Sequence, residues 1–256
     1  MVLLEIKQVE KTYRTKLGFQ QCVALRGISC KVEEGEFVAI MGASGSGKTT
    51  LLNILASLDR PSAGEVLLDG IKLSDIPDRE LSRFRRDKLG FVFQDFNLLD
   101  SFSLRDNILL PLVLARRPLA EMEQRLIPVA DMLGITTLLA KFPYEVSGGE
   151  KQRTAVARAV ITEPRLLLAD EPTGALDSRA SANLLQVFTK LNCLGRTILM
   201  VTHSAQAASY ARRVLFISDG RLVSQLFRAA DENDHSFFAR IISSQSALAG
   251  GGEQNG

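Results

Sequence analysis

The sequence has few cysteines and no long apolar run. The three cysteines, Cys22, Cys30 and Cys193, show neither CxxC nor Cys/His ligand spacing, so neither a disulfide framework nor a zinc site is expected. This usage of cysteine is typical of proteins in a reducing compartment. The longest apolar candidates, such as ILLPLVLA at residues 108–115, are less than half as long as the roughly 18 residues that cross a bilayer. The N-terminal residues lack the basic start and apolar stretch of a leader peptide. We therefore expect any role at a membrane to depend on a partner.

An excess of charge of one sign is also nearly absent. The formal net charge of +2 is too small to predict a polyanionic partner from bulk electrostatics. Arg83, Arg85, Arg86 and Lys88 form a local basic cluster, which is typical of a solvated helix face or of a binding patch, and we favour the solvated face. With 256 residues, 46% of them apolar, the chain can bury a substantial core in one or two domains.

Strand and helix patterns alternate along the chain. Short alternations near residues 4–8 and 28–32 and the apolar run FVAIM at residues 37–41 predict strands. Helical spacing dominates from Ser101 to Leu139, and two further strand-like runs follow, RLLLA at residues 165–169 and TILMV at residues 197–201. The order predicts an α/β fold with a mainly parallel sheet, into which a helical block is inserted.

A phosphate-binding pattern directly follows the strand FVAIM. Residues 42–49, GASGSGKT, match GxxxxGK[ST] and open a predicted helix. Glycines let backbone N–H groups converge on phosphate oxygens, and the helix N-terminus adds partial positive charge. Lys48 is expected to reach the β and γ phosphates of ATP, and Thr49 to offer its hydroxyl to Mg²⁺. The expected nucleotide contacts of this loop are Gly42, Ala43, Ser44, Gly45, Ser46, Gly47, Lys48, Thr49 and Thr50.

A later strand ends in two acidic residues. The sequence LLLADE at residues 166–171 places Asp170 and Glu171 where parallel sheets carry their ligand-handling groups. Asp170 suits the water shell of Mg²⁺, and Glu171 is the candidate to orient and deprotonate the attacking water. The alternative is that the two acids simply cap an exposed strand end.

A second glycine turn, VSGGEKQR at residues 146–153, combines a hydroxyl, two glycines and a predicted helix start. Other motifs accompany it: Gln94 after FVF, the sequence ALD at residues 175–177, and His203 after MVT. In this order, the motifs resemble those of the ATP-binding-cassette (ABC) ATPases, and the resemblance covers roughly residues 2–225.

The resemblance implies a P-loop NTPase cassette with an additional antiparallel β subdomain. An ABC ATPase domain would occupy residues 1–228, with its core at 1–93 and 160–228 and its helical subdomain at 94–159. We expect a helical extension at residues 229–248 and a disordered tail at 249–256. Ser147, Gly148 and Gly149 would close on the ATP of a second copy in a head-to-tail dimer.

Further roles follow from the same resemblance. Tyr13 would stack on adenine, although it could also be an ordinary strand-end tyrosine. Gln94 would sense Mg²⁺ and the attacking water, Asp177 would lie at the subunit boundary, and His203 would hold the γ-phosphate and position Glu171. The ligands implied for Mg²⁺, partly through water, are Thr49, Gln94 and Asp170. Position 150 is Glu where many members have Gln, and we expect no loss of activity from it.

Longer sequence segments indicate a more specific function. Residues 84–112 and 142–160 are similar to the cassettes that pair with FtsX-like permeases, particularly the bacitracin-type antimicrobial-peptide resistance branch. Macrolide-efflux and lipoprotein-release cassettes are close relatives. We therefore expect an ATPase motor that drives such a permease from the cytoplasmic face of the membrane, with no nucleic-acid partner. The alternatives are a soluble ABC ATPase acting on ribosomes or DNA, and a regulatory ATP-binding module. The sequence of a cassette does not identify the transported compound.

Two apolar segments have open interpretations. Residues 95–110 are expected to line the groove that receives the permease's coupling helix, but Phe96, Leu98, Leu99 and Phe102 could equally be buried in the helical block. Residues 235–248 predict a terminal helix that packs on its own core. Membrane-surface binding is the weaker alternative, because Arg240 is the only cation of that segment.

Overall fold

The computed structural model describes residues 1–14 and 21–250, which form two units. One unit combines the stretches Met1–Asp75 and Leu199–Gly256, and the other is Ile76–Ile198. Up to residue 92 the elements are β1 (Val2–Arg14), β2 (Gln21–Glu33), β3 (Phe37–Met41), α1 (Lys48–Leu55), β4 (Ala63–Leu68), β5 (Ile71–Lys72), α2 (Asp78–Lys88) and β6 (Leu89–Val92). They are followed by α3 (Leu104–Leu114), α4 (Leu119–Leu133), α5 (Gly148–Val160), β7 (Leu166–Asp170), α6 (Ser178–Cys193), β8 (Thr197–Val201), α7 (Ala205–Ala208), β9 (Arg213–Ser218), β10 (Arg221–Phe227) and α8 (Asp234–Gly250).

An antiparallel sheet with the strand order β2-β1-β4-β5 lies in the first unit. Apolar and charged residues alternate along β1 and β2, so one face of the sheet is buried, with Leu4, Ile6 and Ile28 almost inaccessible to solvent. Charged residues of the same strands form more exposed ion pairs, such as Lys31 with Glu5. This sheet is the antiparallel β subdomain that the family resemblance implies.

The strand that precedes the phosphate loop belongs to a second group of strands with the order β10-β9-β3-β8, of which β8 enters the first unit at Leu199. β3 pairs in parallel with β9, and β9 pairs antiparallel with β10. Every residue of β3 and of β8 is buried, which explains why both read as continuous apolar runs. The last helix, α8, packs on the first unit through the buried side chains of Phe237 and Ile241.

The second unit contains the predicted helical block. β6 and β7 pair in parallel, with Leu89 opposite Leu166, and α3, α4 and α5 lie between them in sequence. A Cβ atom on Gly90 would stand 2.4 Å from the carbonyl oxygen of Ala159, so the close approach of β6 to α5 requires glycine. The Ser103 side chain caps α3 by accepting a hydrogen bond from the backbone N–H of Asp106. The prediction of an α/β fold with an inserted helical block is confirmed.

Two segments bear on the remaining expectations. α2, which carries the basic cluster, buries none of its residues, in agreement with the solvated face that we favoured. α8 continues to Gly250, beyond Ala249, where the predicted tail begins, and residues 251–256 of that tail lie outside the described residues. In the part of the chain that the structure describes, no helix combines the length and the apolar content needed to cross a membrane.

Candidate nucleotide-binding site

The phosphate loop of the first unit connects β3 to α1, and its glycines differ in what they do. A Cβ atom on Gly42 would stand 2.1 Å from the carbonyl oxygen of Ile217, and one on Gly47 would stand 2.5 Å from that of Ala24. Both positions therefore require glycine because neighbouring backbone is too close. Gly45 has a φ of +78° and no atom within 4 Å of its would-be Cβ. Glycine is favoured here by this left-handed backbone conformation and not by close neighbours.

The start of α1 is suited to an anion. Gly47 precedes the helix without a side-chain cap, and no acidic residue lies in the first turn, so the helix N-terminus keeps its affinity for negative charge. The buried Lys48 ammonium donates hydrogen bonds to the carbonyl oxygens of Gly42 (2.9 Å) and Ala43 (2.8 Å). The buried Ser46 hydroxyl has no hydrogen-bond partner among the described residues. A phosphate group would satisfy these groups, and the loop therefore fits a triphosphate.

The predicted adenine-stacking residue, Tyr13, lies at the end of β1 with a partly exposed ring. Its hydroxyl donates to Asp59 Oδ2 at 2.8 Å, and the Lys11 ammonium lies 4.9 Å from the ring centroid. Lys11 also donates to Asp59 Oδ1 at 2.5 Å. Burial and the hydrogen bond to Asp59 raise the pKa of Tyr13, in agreement with a hydroxyl that donates to a carboxylate. The ring is thus held in place and remains accessible to a base.

His203 follows β8, the neighbour of β3 in the first unit. The backbone N–H of Thr202 donates to the carbonyl oxygen of Ile40, one residue before β3 ends. The His203 side chain is exposed. The first unit therefore carries the phosphate loop and His203 just beyond the ends of two adjacent strands.

In the second unit, Gln94 lies close to the turn that starts at Glu171. Glu171, directly after β7, has a φ of +45°, a left-handed conformation that is strained for a residue with a side chain. The backbone N–H of Gly174 donates to the carbonyl oxygen of Glu171 at 2.9 Å and closes a turn. A Cβ atom on Gly174 would stand 3.0 Å from Cδ of Gln94, so the Gln94 side chain lies against the turn that contains Glu171.

The second glycine turn starts α5. The Ser147 hydroxyl donates to Glu150 Oε2 at 2.8 Å, and the same oxygen accepts the backbone N–H of Ser147 at 2.8 Å. These two hydrogen bonds hold the pKa of Glu150 below its usual value, so the carboxylate stays ionised at the helix start. Ser147 is exposed. Asp177 similarly caps α6, accepting the backbone N–H of Ala180 at 2.8 Å.

A cluster of metal-binding side chains is absent from the residues that the structure describes, since no three or more of their His, Cys, Asp or Glu side chains form a group that could hold a metal ion. The ligands that the family resemblance implies, Thr49, Gln94 and Asp170, include a single carboxylate, and a donor set of this composition suits Mg²⁺ bound mainly by phosphates and water. The donor set therefore fits Mg²⁺ that arrives with the nucleotide.

Sequence reasoning missed two polar residues of α5. The buried Gln152 side chain donates to the carbonyl oxygens of Phe93 and Pro172. The Arg158 guanidinium donates to those of Phe96 (3.0 Å) and Asn97 (2.6 Å). Polar residues among the buried neighbours of α5 were the available signal, but their partners are distant in the sequence.

The comparison with known proteins agrees with this geometry. The family model described as ABC transporter matches residues 25–174. The chain belongs to this family. The bacitracin export ATP-binding protein BceA of Halalkalibacterium halodurans is 48% identical over 256 residues, which cover 100% of this chain and 99% of that protein. The macrolide export ATP-binding/permease protein MacB of Burkholderia pseudomallei is 42% identical over 221 residues, which cover 86% of this chain and 34% of that protein.

A solved relative adds structural evidence for the ABC cassette. The dimeric structure of the ABC transporter cassette MJ0796, a protein of Methanocaldococcus jannaschii, has 40% identity and a TM-score of 0.81, and covers 89% of this chain and 100% of that one. A second structure of the same cassette is a post-hydrolysis dimer bound to ADP and Pi. The ABC cassette is thus an exporter-type ATPase that hydrolyses ATP, and the predictions of family, fold and enzymatic activity are confirmed.

Proposed function

We propose that this ABC cassette dimerises around ATP and drives an FtsX-like permease that confers resistance to antimicrobial peptides. The observation that supports this proposal is the similarity to BceA, which extends over nearly the whole length of both chains and therefore includes α8. The similarity to MJ0796 and to MacB covers only 86% of this chain. The permease would hold the cassette at the cytoplasmic face of the membrane.

The proposed dimer assigns the predicted site residues to two copies of the chain. Gly42 to Thr50 would bind the phosphates, Tyr13 the adenine, and Ser147 to Gly149 of the second copy would close on the γ-phosphate. The exposure of Ser147 and the helix N-terminus behind it support this assignment. After cleavage the charge that these donors hold would be lost, and the copies would separate, which converts hydrolysis into motion.

For hydrolysis, Glu171 would orient and deprotonate the attacking water. His203 would hold the γ-phosphate, and Gln94 would report on the water and the metal. Bound Mg²⁺ would neutralise charge on the phosphates. Asp177 would lie at the subunit boundary while it caps α6. For the permease, Leu99 and Phe102 offer exposed apolar side chains that suit a coupling helix.

The second candidate is macrolide export, which the similarity to MacB supports. The two candidates differ in the compound to which cells become sensitive when the gene is deleted. Sensitivity to bacitracin, and none to macrolides, is expected; the reverse result would replace the peptide proposal with the macrolide one. Isolation of the chain from membranes is expected to bring a multi-span permease with it.

The motor itself is tested with Glu171→Gln. This variant is expected to bind ATP, to release no phosphate and to accumulate as a dimer in size-exclusion chromatography with ATP. Glu80→Gln, on the exposed helix α2, is the control and should behave as the wild type. Normal phosphate release by Glu171→Gln would refute the assignment of the base. A Glu171→Gln protein that stays monomeric with ATP, also when bound to the permease, would refute the dimer.

A further inference from the structure

The Gln152 side chain joins two backbone positions that the proposed mechanism uses. It lies in α5 with 0% of its surface exposed. Its Nε2 atom donates to the carbonyl oxygen of Phe93 at 3.0 Å and to that of Pro172 at 2.7 Å. Phe93 directly precedes Gln94, and Pro172 directly follows Glu171. One amide group therefore connects the backbone beside the proposed water sensor to the backbone beside the proposed base.

The two acceptors fix the orientation of this amide. A carbonyl oxygen only accepts hydrogen bonds, so the NH₂ group and not the oxygen of Gln152 must face Phe93 and Pro172. The Oε1 atom on the other side is buried and accepts no hydrogen bond from the described residues. A buried acceptor without such a bond lowers stability, so stability alone does not account for glutamine at this position. The two backbone contacts do account for it.

The backbone beside Glu171 needs such a contact. Glu171 is held at a φ of +45°, and residues in this conformation relax unless their surroundings hold them. Within the turn, the N–H of Gly174 bonds to the carbonyl oxygen of Glu171. Gln152 adds a bond to the next carbonyl, that of Pro172, from outside the turn. Its second bond, to Phe93, fixes Gln94 relative to the same helix.

We propose that Gln152 is a positioning residue for ATP hydrolysis, which sets the distance between Gln94 and Glu171. It touches neither nucleotide nor water and acts through the backbone of its two partners. Because α5 begins at the Ser147 turn, Gln152 also connects the backbone beside Gln94 and Glu171 to the helix that would contact the ATP of the second copy. The inference rests on the proposed function, because it takes the roles of Gln94 and Glu171 from it.

The test compares Gln152→Met with Thr154→Val in the full chain. Met keeps the length of Gln and removes both hydrogen bonds. Thr154 lies on the same helix, is also 0% exposed, and its hydroxyl donates only within α5, to the carbonyl oxygen of Glu150. Gln152→Met is expected to lower kcat for phosphate release by about 10- to 100-fold at an unchanged KM for ATP, since displacements near 1 Å have such effects. Thr154→Val should keep the wild-type kcat.

Amide hydrogen exchange provides a readout that does not depend on activity. In Gln152→Met, exchange should rise at residues 93–95 and at residues 171–174 together, while Thr154→Val leaves both segments as in the wild type. A kcat of Gln152→Met within twofold of that of Thr154→Val would overturn the inference, as would increased exchange throughout the second unit. Glu171→Gln is assayed in parallel: if it hydrolyses ATP normally, the proposed function fails, whereas an inactive Glu171→Gln with an active Gln152→Met refutes the positioning role alone.

Discussion

The Cδ atom of Gln94 lies 3.0 Å from the point that a Cβ atom would occupy on Gly174. The amide nitrogen of Gln94 is almost as close to that point, at 3.2 Å. Gly174 belongs to the turn that starts at Glu171, and its φ is not in the left-handed range. The requirement for glycine is therefore steric: a methyl group here would push the Gln94 side chain away from its place.

Gly174→Ala should accordingly lower turnover. The Gln94 side chain is flexible and can move by a few tenths of an ångström, so we expect kcat to fall by about three- to tenfold with little change in KM for ATP. The measurement is steady-state phosphate release. In a Gln94→Ala background the methyl group has room, and Gly174→Ala should then have no further effect. Multiplicative losses in the double variant would show that Gly174 does not act through Gln94.

Much of the fold follows from local patterns. β3 and β8 are buried throughout, and continuous apolar runs predict such strands directly. The phosphate loop is recognisable because its glycines, lysine and threonine are close in sequence. The capping of α5 by Ser147 and Glu150 has the pattern S-x-x-E, so Ser147, which is expected to close on the ATP of a second copy, also caps a helix of its own chain.

The contacts of Gln152 could not be predicted in this way. Its partners lie 59 residues before it and 20 residues after it, and only the packing of α5 beside β6 brings them together. The same holds for Asp59, which meets Tyr13 across 46 residues. Nothing in the composition of a loop that follows a helix distinguishes such an aspartate from a solvated one.

We predict that breaking a buried ion pair in the first unit has a large effect on stability. Arg213 and Glu36 have side chains only 10% and 12% exposed, with Arg213 Nε 2.8 Å from Glu36 Oε1. Arg213 Nη2 also donates to Glu36 Oε2 at 2.9 Å. Arg213→Met leaves a buried carboxylate unpaired, so the free energy of unfolding should fall by about 3 to 5 kcal/mol. Chemical denaturation followed by circular dichroism measures this.

Two variants complete that experiment. Arg83→Met removes the exposed pair of Arg83 with Asp87 and should cost no more than about 0.5 kcal/mol. Replacing both Arg213 and Glu36 by Met should destabilise less than either single change, because no buried charge is left unpaired. A double variant that is less stable than both single variants would contradict this account.

The Asp59 carboxylate predicts a pH-dependent contribution to stability. Burial acts to raise its pKa, but hydrogen bonds from Lys11, Tyr13 and the backbone N–H of Arg60 outweigh burial and lower the pKa below its ordinary value of 3.8. Because folding lowers this pKa, the stabilisation is complete above about pH 5 and is lost as the pH falls through the folded-state pKa. Asp59→Asn should lower the free energy of unfolding by about 1 kcal/mol at pH 7.

The measurement is denaturant unfolding of both proteins from pH 7 down to about pH 3. The difference between wild type and Asp59→Asn should be constant above about pH 5 and should shrink toward pH 3. A difference that grows in acid would mean that the carboxylate is destabilising. Glu10→Gln, which alters an exposed carboxylate of β1 in the same sheet, controls for loss of a surface carboxylate.

The last prediction concerns Glu150, whose ionised carboxylate lies beside the turn proposed to receive a γ-phosphate. Glu150→Gln removes a negative charge but keeps an oxygen that can accept from Ser147, as the S-x-x-E/Q capping pattern allows. The variant should lose about 0.5 kcal/mol of stability from the weaker interaction with the helix dipole. Its KM for ATP should fall by about threefold, because like-charge repulsion is relieved.

The salt dependence of KM and a second variant show whether charge repulsion causes the change in KM. The gain in apparent ATP affinity should be largest at low ionic strength and should diminish toward about 1 M salt, where charges are screened beyond about 3 Å. Glu145→Gln is the matched control, since Glu145 caps a neighbouring 3₁₀ helix by accepting the backbone N–H of Phe142 at 2.7 Å and makes no contact with Ser147 in the described hydrogen bonds. It should lose similar stability and keep the wild-type KM. An unchanged or higher KM for Glu150→Gln would mean that the carboxylate does not repel the nucleotide. Ser147 would then bind phosphate while it keeps its hydrogen bond to Glu150.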